Sequence, residues 1–231
     1  MKSIQELKDE LRYLFGLAQL SQWMIGINSE EFRSALPGDD KKPNECEVKQ
    51  SIVNFIYNHP EEWSTNFRFI IDGGVDGEDG PDGSGRDRKK IGAAILTSGI
   101  IHTCQSEIYD PKSLGRHVGF SKFMNSVKSW SDAGEIITLL SDCRYLFLSE
   151  VYIAAETNKT LMRTIAESLT DLLERRENRG LVTILSIKPS IVKRIPLESD
   201  FLGPALVSIV KQLGDVGTII MKDKRACRIS F

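Results

Sequence analysis

The chain has 231 residues, of which 41% are hydrophobic, 30 are basic and 32 are acidic, so its formal charge is -2. This length and hydrophobic fraction suffice for one packed domain, and the near-neutral charge excludes a global attraction to nucleic acid or anionic lipid. No stretch approaches the roughly 18 apolar residues of a membrane span, and the four cysteines lie far apart, without zinc-binding or redox spacing. We therefore expect a cytoplasmic, single-domain protein with reduced thiols.

The first 60 residues predict a helical N-terminal extension. Leucines recur at three- and four-residue steps near the start, behind a capping box made by Ser3 and Glu6. Proline and asparagine interrupt the helical pattern. Helices are accordingly predicted over residues 3–27, 29–36 and 48–59, with a loop at 37–44.

The hydrophobic period changes after Trp63. Short apolar runs rich in β-branched residues predict three strands at 67–71, 91–96 and 100–109. A tight turn between the last two predicts an antiparallel hairpin. The glycine- and aspartate-rich segment 73–90 is predicted to be a mobile loop.

The rest of the chain alternates between helical and strand patterns. Helices are predicted at 113–130, 145–178 and 200–213, strands at 135–141 and 181–187, and a closing hairpin at 218–231. Three strands followed by alternating helices and strands is the element order of a ribonuclease H-like mixed sheet, although other α/β folds share parts of it. We therefore expect that fold for residues 61–231.

Two carboxylates fall at the ends of predicted strands. Asp72 ends the first strand, and Asp142 ends the strand that follows the first core helix. Those strands are neighbours in a ribonuclease H-like sheet, so the pair could share Mg²⁺ or Mn²⁺ and activate water against a phosphodiester. Each residue also has a structural explanation, since Asp72 suits a turn and Asp142 suits a helix N-cap.

Three segments carry a resemblance to a known family. Ile71-Asp72-Gly73-Gly74 resembles the motif that opens the NurA nuclease domain, and Ser141-Asp142 falls where that family has its second aspartate. Residues 181–190 resemble the later strand that ends in lysine and serine. The chain thus resembles the NurA nucleases and, more distantly, the PIWI nuclease domain, over about residues 66–231.

The resemblance implies a metal-dependent nuclease that hydrolyses DNA or RNA phosphodiester bonds. Asp72, Asp142 and Glu107 would hold Mn²⁺ or Mg²⁺, and Asp72, Asp142 and Lys188 would be the catalytic set, with Lys188 assisting electrostatically. The family's usual glutamate within 122–131 and its C-terminal histidine are missing. The alternative is therefore a catalytically silent α/β protein that binds a regulatory or partner molecule.

Basic residues near the predicted site suggest nucleic-acid contacts. Phosphate groups are bound by lysine and arginine without sequence preference. The candidates are Arg86, Arg88, Lys89, Lys90, Lys193 and Arg194. Solvated surface residues are the competing interpretation. The expected partners are nucleic acid, DNA in preference to RNA, and a helicase-translocase or other protein, with a homo-oligomer as a further option and no membrane.

Overall fold

The computed structural model describes residues 4–25, 27–36, 43–65, 67–73, 84–106, 108–129, 133–151, 159–187, 218–222 and 225–230. Its helices are α1 Ile4–Leu17, α2 Ser29–Ala35, α3 Pro43–Asn58, α4 Ser84–Ser106, α5 Phe120–Lys128, α6 Ala133–Asp142 and α7 Lys159–Asn178. Its strands are β1 Arg68–Gly73, β2 Gly115–Gly119, β3 Tyr145–Val151, β4 Val182–Ile187, β5 Thr218–Lys222 and β6 Arg225–Ser230. No described helix has the length and apolar content needed to cross a membrane.

The strands form one sheet in the order β2-β3-β4-β1-β5-β6. The first five are mutually parallel, and only β6 runs antiparallel, against β5. Parallel neighbours require crossover connections. Those from β1 to β2, from β2 to β3 and from β3 to β4 contain helices, and the described helices cover both faces of the sheet. The α/β class predicted from the sequence is confirmed, but the ribonuclease H-like order with three antiparallel strands first is wrong.

Alternate side chains of β3 enter different cores. Tyr145 and Phe147 pack on one face with α1 to α4, whereas Leu146 and Leu148 pack on the other face with α5, α6 and α7. This alternation follows from the two-residue period of a strand. The molecule therefore has three layers, with the sheet between two groups of helices.

Helix α4 begins ten residues after β1 and packs against β1, β3 and β4. Every residue from Ile91 to Ile100 is buried, including the helical glycines Gly92 and Gly99. Those glycines lie against the rings of Phe147 and Tyr145, where a Cβ atom would collide. Because these glycines have no side chain, the helix approaches the centre of the sheet closely.

Several predicted elements are corrected. The predicted strand 91–96 and residues 100–106 of the predicted strand 100–109 are part of α4, and the predicted strand 135–141 is part of α6. The predicted helix 145–178 contains β3 before α7, and β2 precedes α5 within the predicted helix 113–130. A buried helix and a buried parallel strand both appear as unbroken apolar runs, so length and periodicity do not separate them.

Other predictions are confirmed. The short helix after Asn28 is α2, which has a capping box between Asn28 and Glu31. The strand at 181–187 is β4, and the closing hairpin is β5 with β6. The first helix ends earlier than predicted, at Leu17. The predicted helix 200–213 lies outside the described residues.

One buried arginine joins α7 to the amino-terminal end of the sheet. Arg176 is fully buried, and its guanidinium donates to the carbonyls of Leu140 at 2.6 Å and Cys143 at 2.7 Å. Its Nε donates to Thr183 Oγ1 at 2.9 Å. Backbone carbonyls that end α6 are thereby satisfied without water.

Candidate functional site

The carboxyl end of the parallel sheet is the place where this fold presents polar groups. In open α/β sheets, ligands bind beyond the carboxyl ends of the strands, where the strand order reverses. The chain leaves β1 for the edge strand β2 and returns through β3 and β4 to the other side of β1. β1 therefore ends at the reversal point, where the connection to α4 leaves the sheet.

The sequence of that connection has phosphate-loop spacing. A phosphate loop follows a strand, opens a helix and has the form G-x-x-x-x-G-K-[ST]. Here Gly80 and Gly85 have the required spacing, with Arg86 in the place of lysine and Asp87 in the place of serine or threonine. Residues 84–87 form the first turn of α4. The order strand, glycine-rich loop, helix is thus present, with two changed positions.

The end of β3 carries the polar residues Ser149 and Glu150. Ser149 is 1% exposed, and its Oγ shares a hydrogen bond with His117 Nε2 at 2.9 Å. The His117 ring is stacked on Phe147, and burial lowers the pKa of His117 below its usual 6.5. The Ser149 hydroxyl is therefore held in place between β2 and β3.

Glu150 is bound by a buried cation. Arg88 Nε lies 3.3 Å from one carboxylate oxygen, and the Arg88 terminal nitrogen lies 3.2 Å from the other. The Arg88 side chain is 1% exposed and the Glu150 side chain 17%. The Glu150 backbone N–H donates to Ser186 Oγ at 2.8 Å, which ties β3 to β4. This bidentate pair connects the first turns of α4 to the end of β3.

The described side chains do not form the magnesium site of P-loop triphosphatases. Such a site takes a hydroxyl from the phosphate loop and an aspartate from a neighbouring strand. On β3 the described candidates are Ser149, which has no carboxylate and is bonded to His117, and Glu150, which is neutralised by Arg88. Hence β3 has no carboxylate ready for a divalent cation.

Asp72 and Asp142 are not brought together. Asp72 lies near the carboxyl end of β1, in register with Ile187 of β4. Asp142 is the last residue of α6, just before β3 begins, and therefore lies at the amino-terminal end of the parallel strands. The prediction placed it on a strand because Ile136 to Leu140 is an apolar run, but that run is helical.

The surroundings of Asp142 are unsuited to a metal ion. Its carboxylate is paired with Arg179, and a pocket of about 340 Å³ beside it is also lined by Arg175. Two guanidinium groups in one pocket oppose a divalent cation. Among the described residues, the one group with metal-ligand geometry is His59, Glu61 and Glu62, at the surface before β1.

The remaining candidate residues for nucleic-acid and metal binding lie in different parts of the chain. Arg88 is buried and paired with Glu150, so its side chain is not available to nucleic acid. Lys89 and Lys90 lie half-buried on α4, and Arg86 lies in its first turn. Glu107, Lys188, Lys193 and Arg194 lie outside the described residues.

This chain is similar to solved structures of known proteins. No family model matches the sequence, and no curated protein matches it. Among solved structures, the crystal structure of the DnaC helicase loader matches with a TM-score of 0.50 and 15% identity, covering 87% of this chain and 100% of that one. The AMPPCP-bound DnaA from Aquifex aeolicus matches with a TM-score of 0.44 and 11% identity, covering 85% and 50%.

The likeness to the DnaC helicase loader structure shows that this chain has a similar α/β fold. The resemblance to NurA and PIWI nucleases is therefore wrong, and so is the nuclease function inferred from it. The sequence signal that was missed is the spacing from Gly80 to Asp87. It was obscured because the helix after it was predicted to be two strands.

Proposed function

We propose that this chain is a nucleotide-binding protein of the helicase-loader type, which binds the phosphates of a nucleoside triphosphate at the β1–α4 connection. The observation that carries the proposal is that β1, which leads into this connection, ends at the reversal point of the sheet order β2-β3-β4-β1-β5. The amino-terminal end of α4 adds backbone N–H groups and a partial positive charge, which favour an anion there.

The changed loop residues are compatible with phosphate binding. Arg86 replaces lysine, and a guanidinium binds phosphate oxygens through two parallel hydrogen bonds. Gly80 and Gly85 preserve the positions where the loop backbone would approach the phosphates. Asp87 replaces a hydroxyl and brings a negative charge, so we expect affinity below that of a standard phosphate loop.

A nucleotide titration tests the proposal. We expect fluorescent ATP and ADP analogues to bind the full chain, unlabelled ATP to displace them, and Arg86→Ala to weaken binding by about tenfold or more. The matched control is Arg163→Ala, because Arg163 is exposed on α7 and pairs only locally with Glu167. Equal binding by both variants, or no displacement by ATP, would contradict the proposal.

A second part of the proposal concerns partners. The likeness covers the whole of the DnaC helicase loader structure, which supports a helicase as the protein partner. DNA is proposed as the nucleic acid because basic residues cluster after the glycine-rich segment. Co-elution of the chain with a hexameric replicative helicase, with and without ATP, tests the first. Fluorescence anisotropy with labelled single-stranded DNA tests the second. Failure of both measurements would limit the role to nucleotide binding.

A further inference from the structure

A polar pocket lies between the ends of α6 and α7, at the opposite end of the parallel strands from the β1–α4 connection. Its volume is about 340 Å³, within the roughly 300–1,000 Å³ of small-molecule sites. Every lining residue is polar, and the set comprises Thr138, Ser141, Asp142, Arg175, Asn178 and Arg179. A pocket without an apolar wall suits a small polar ligand, and two guanidinium groups in it favour an anion.

The two helix ends that form the pocket are held at a fixed separation. On the inner side, the buried Arg176 of α7 donates to backbone carbonyls at the end of α6, at 2.6 and 2.7 Å. Gly180 follows α7 with a φ of 65°, and its N–H closes the last turn of the helix with a hydrogen bond of 2.9 Å. Arg175 and Arg179, four residues apart, therefore enter the pocket from a fixed backbone.

Both guanidinium groups in the pocket keep donors for a ligand. Arg175 donates through Nε to Asp171 at 2.7 Å, and Arg179 donates through one terminal nitrogen to the Asp142 carboxylate and the Ser141 carbonyl. Within the described residues, the other N–H groups of the two arginines have no acceptor. The four charged side chains are between 45% and 55% exposed, and ion pairs at such exposure add little stability. An anion can therefore take Arg179 from Asp142 at small cost.

Ser141 adds a buried hydroxyl to the pocket. The residue is 3% exposed, and its Oγ has no hydrogen-bond partner among the residues that the structure describes. A serine within a helix commonly donates to the carbonyl four residues earlier, and Ser141 does not. An unsatisfied buried hydroxyl costs free energy, and a ligand in the pocket would satisfy it. Because Arg179 binds the Ser141 carbonyl, this hydroxyl becomes accessible when the guanidinium turns toward a ligand.

We propose that this pocket binds the phosphate group of a small phosphorylated molecule. Arg175 and Arg179 donate to the phosphate oxygens, and Ser141 and Asn178 add neutral donors. A phosphate is favoured over a carboxylate because it has more acceptor oxygens for donors that come from two helices. The Asp142 carboxylate and the carboxyl end of α6 oppose an anion, so Asp142 limits the affinity. The site goes beyond the proposed nucleotide binding and does not depend on it.

Titration with inorganic phosphate, followed by nuclear magnetic resonance on the full chain, tests the proposal. The ¹H–¹⁵N signals of the arginine Nε groups and of the Asn178 side-chain amide report directly from the pocket. The signals of Arg175 and Arg179 are assigned by their loss in Arg175→Gln and Arg179→Gln. Because the readout is local, it is the same whether or not the β1–α4 connection binds nucleotide.

Five variants are compared with the unmodified chain: Arg175→Gln, Arg179→Gln, Asp142→Asn, Ser141→Ala and Arg163→Gln. Arg163→Gln is the matched control. Arg163 lies on α7 outside the pocket and forms an exposed pair of 2.7 Å with Glu167, four residues away, as Arg175 does with Asp171.

We expect phosphate to shift the pocket signals saturably and to bind about tenfold or more weakly to each of Arg175→Gln and Arg179→Gln. Asp142→Asn should bind phosphate about threefold or more tightly, because it removes a competing charge. This gain cannot result from misfolding. Ser141→Ala should bind phosphate more weakly without a fall in the thermal midpoint, since it removes an unsatisfied hydroxyl. Arg163→Gln should bind phosphate as the unmodified chain does.

Three results would overturn the proposal. Equal shifts with sodium chloride at the same ionic strength would mean general screening of charge. Acetate that binds as tightly as phosphate would remove the preference for a phosphate group. Equal phosphate affinity in Arg175→Gln, Arg179→Gln and Arg163→Gln would place the anion outside this pocket.

Discussion

Arg176 and Thr183 are joined by a hydrogen bond of 2.9 Å from Nε to Oγ1, between the end of α7 and the start of β4. The same guanidinium donates to the backbone carbonyls of Cys143 and Arg144, the two residues just before β3. A single side chain thus holds the ends of α6 and α7 and the starts of two strands together. Burial lowers the pKa of Arg176. The hydrogen-bond acceptors around the guanidinium oppose this effect because they stabilise its charged form.

Replacement of Arg176 should be among the most destabilising single changes in the described core. Arg176→Met removes a buried donor that several backbone carbonyls share, and we expect a loss of about 3 kcal/mol or more in the free energy of unfolding. Urea denaturation followed by circular dichroism measures it. Arg175→Met, at the neighbouring position, removes an exposed pair with Asp171 and should cost less than about 0.5 kcal/mol. Similar losses for the two variants would contradict the role given to Arg176.

Gly92 should not tolerate a methyl group. A Cβ there would lie 2.2 Å from Cζ of the buried Phe147 ring. Gly92→Ala should therefore lower stability by about 1–3 kcal/mol, although alanine is the better helix former. Gly16→Ala in α1 meets nothing within 4 Å and should raise stability by up to about 1 kcal/mol. Opposite signs in the two urea midpoints are the expected result, and a gain at both positions would contradict the close approach of α4 to β3.

Gln19 should favour glycine over alanine. Its φ is 57°, which strains any side chain with a Cβ atom. Gln19→Gly should be more stable than Gln19→Ala by about 1 kcal/mol, the reverse of their order at most positions. Both variants lose the same side-chain hydrogen bond from Lys122, so the difference isolates the backbone. Equal thermal midpoints would show that the turn after α1 adopts another conformation.

His117 should make stability depend on pH. Burial lowers its pKa below 6.5, and Lys89 adds to the effect, while a hydrogen bond to the Gln19 carbonyl opposes it. The unfolded chain therefore binds a proton more readily than the folded chain as the pH falls below 6.5. Stability from this group is complete above that pH and decreases below it.

The midpoint of urea unfolding, measured at pH 7.5 and at pH 5.5, reports this dependence. The two pH values lie about one unit above and below the usual histidine pKa. Replacement of His117 by glutamine should reduce the difference between the two midpoints. An unaltered difference in the His117 variant would mean that other groups cause the pH dependence.

The sequence is sufficient to predict helix α2, which has one exposed face. Helix α2 was predicted correctly because polar residues mark its start and its outer surface. Residues 91–100 of α4 are buried on all sides, so no polar face gives a helical period, and isoleucine and threonine suggested strands. Strand β3 is likewise buried on both faces and merged with the helix that follows it.

The site was harder to predict because its position depends on the order of strands. Asp72 and Asp142 looked equivalent when each was placed at the end of a strand. Asp72 lies at the carboxyl end of the parallel sheet. Asp142 lies at its amino-terminal end, because this residue belongs to α6. The pairing of Arg88 with Glu150 joins residues 62 positions apart, and nothing local in the sequence indicates it. Basic residues near the loop suggested nucleic-acid contacts, whereas Arg88 has an internal partner.

The position of β1 also determines when the protein can fold during synthesis. Both neighbours of this central strand, β4 and β5, lie more than one hundred residues later in the chain. Closing such long loops is slow, and unpaired strand edges promote aggregation until it is complete. Phe69 and Ile71 of β1 therefore gain a partner strand only after the ribosome has synthesised β4. Until then β1 depends on its contacts with α4 and the N-terminal helices.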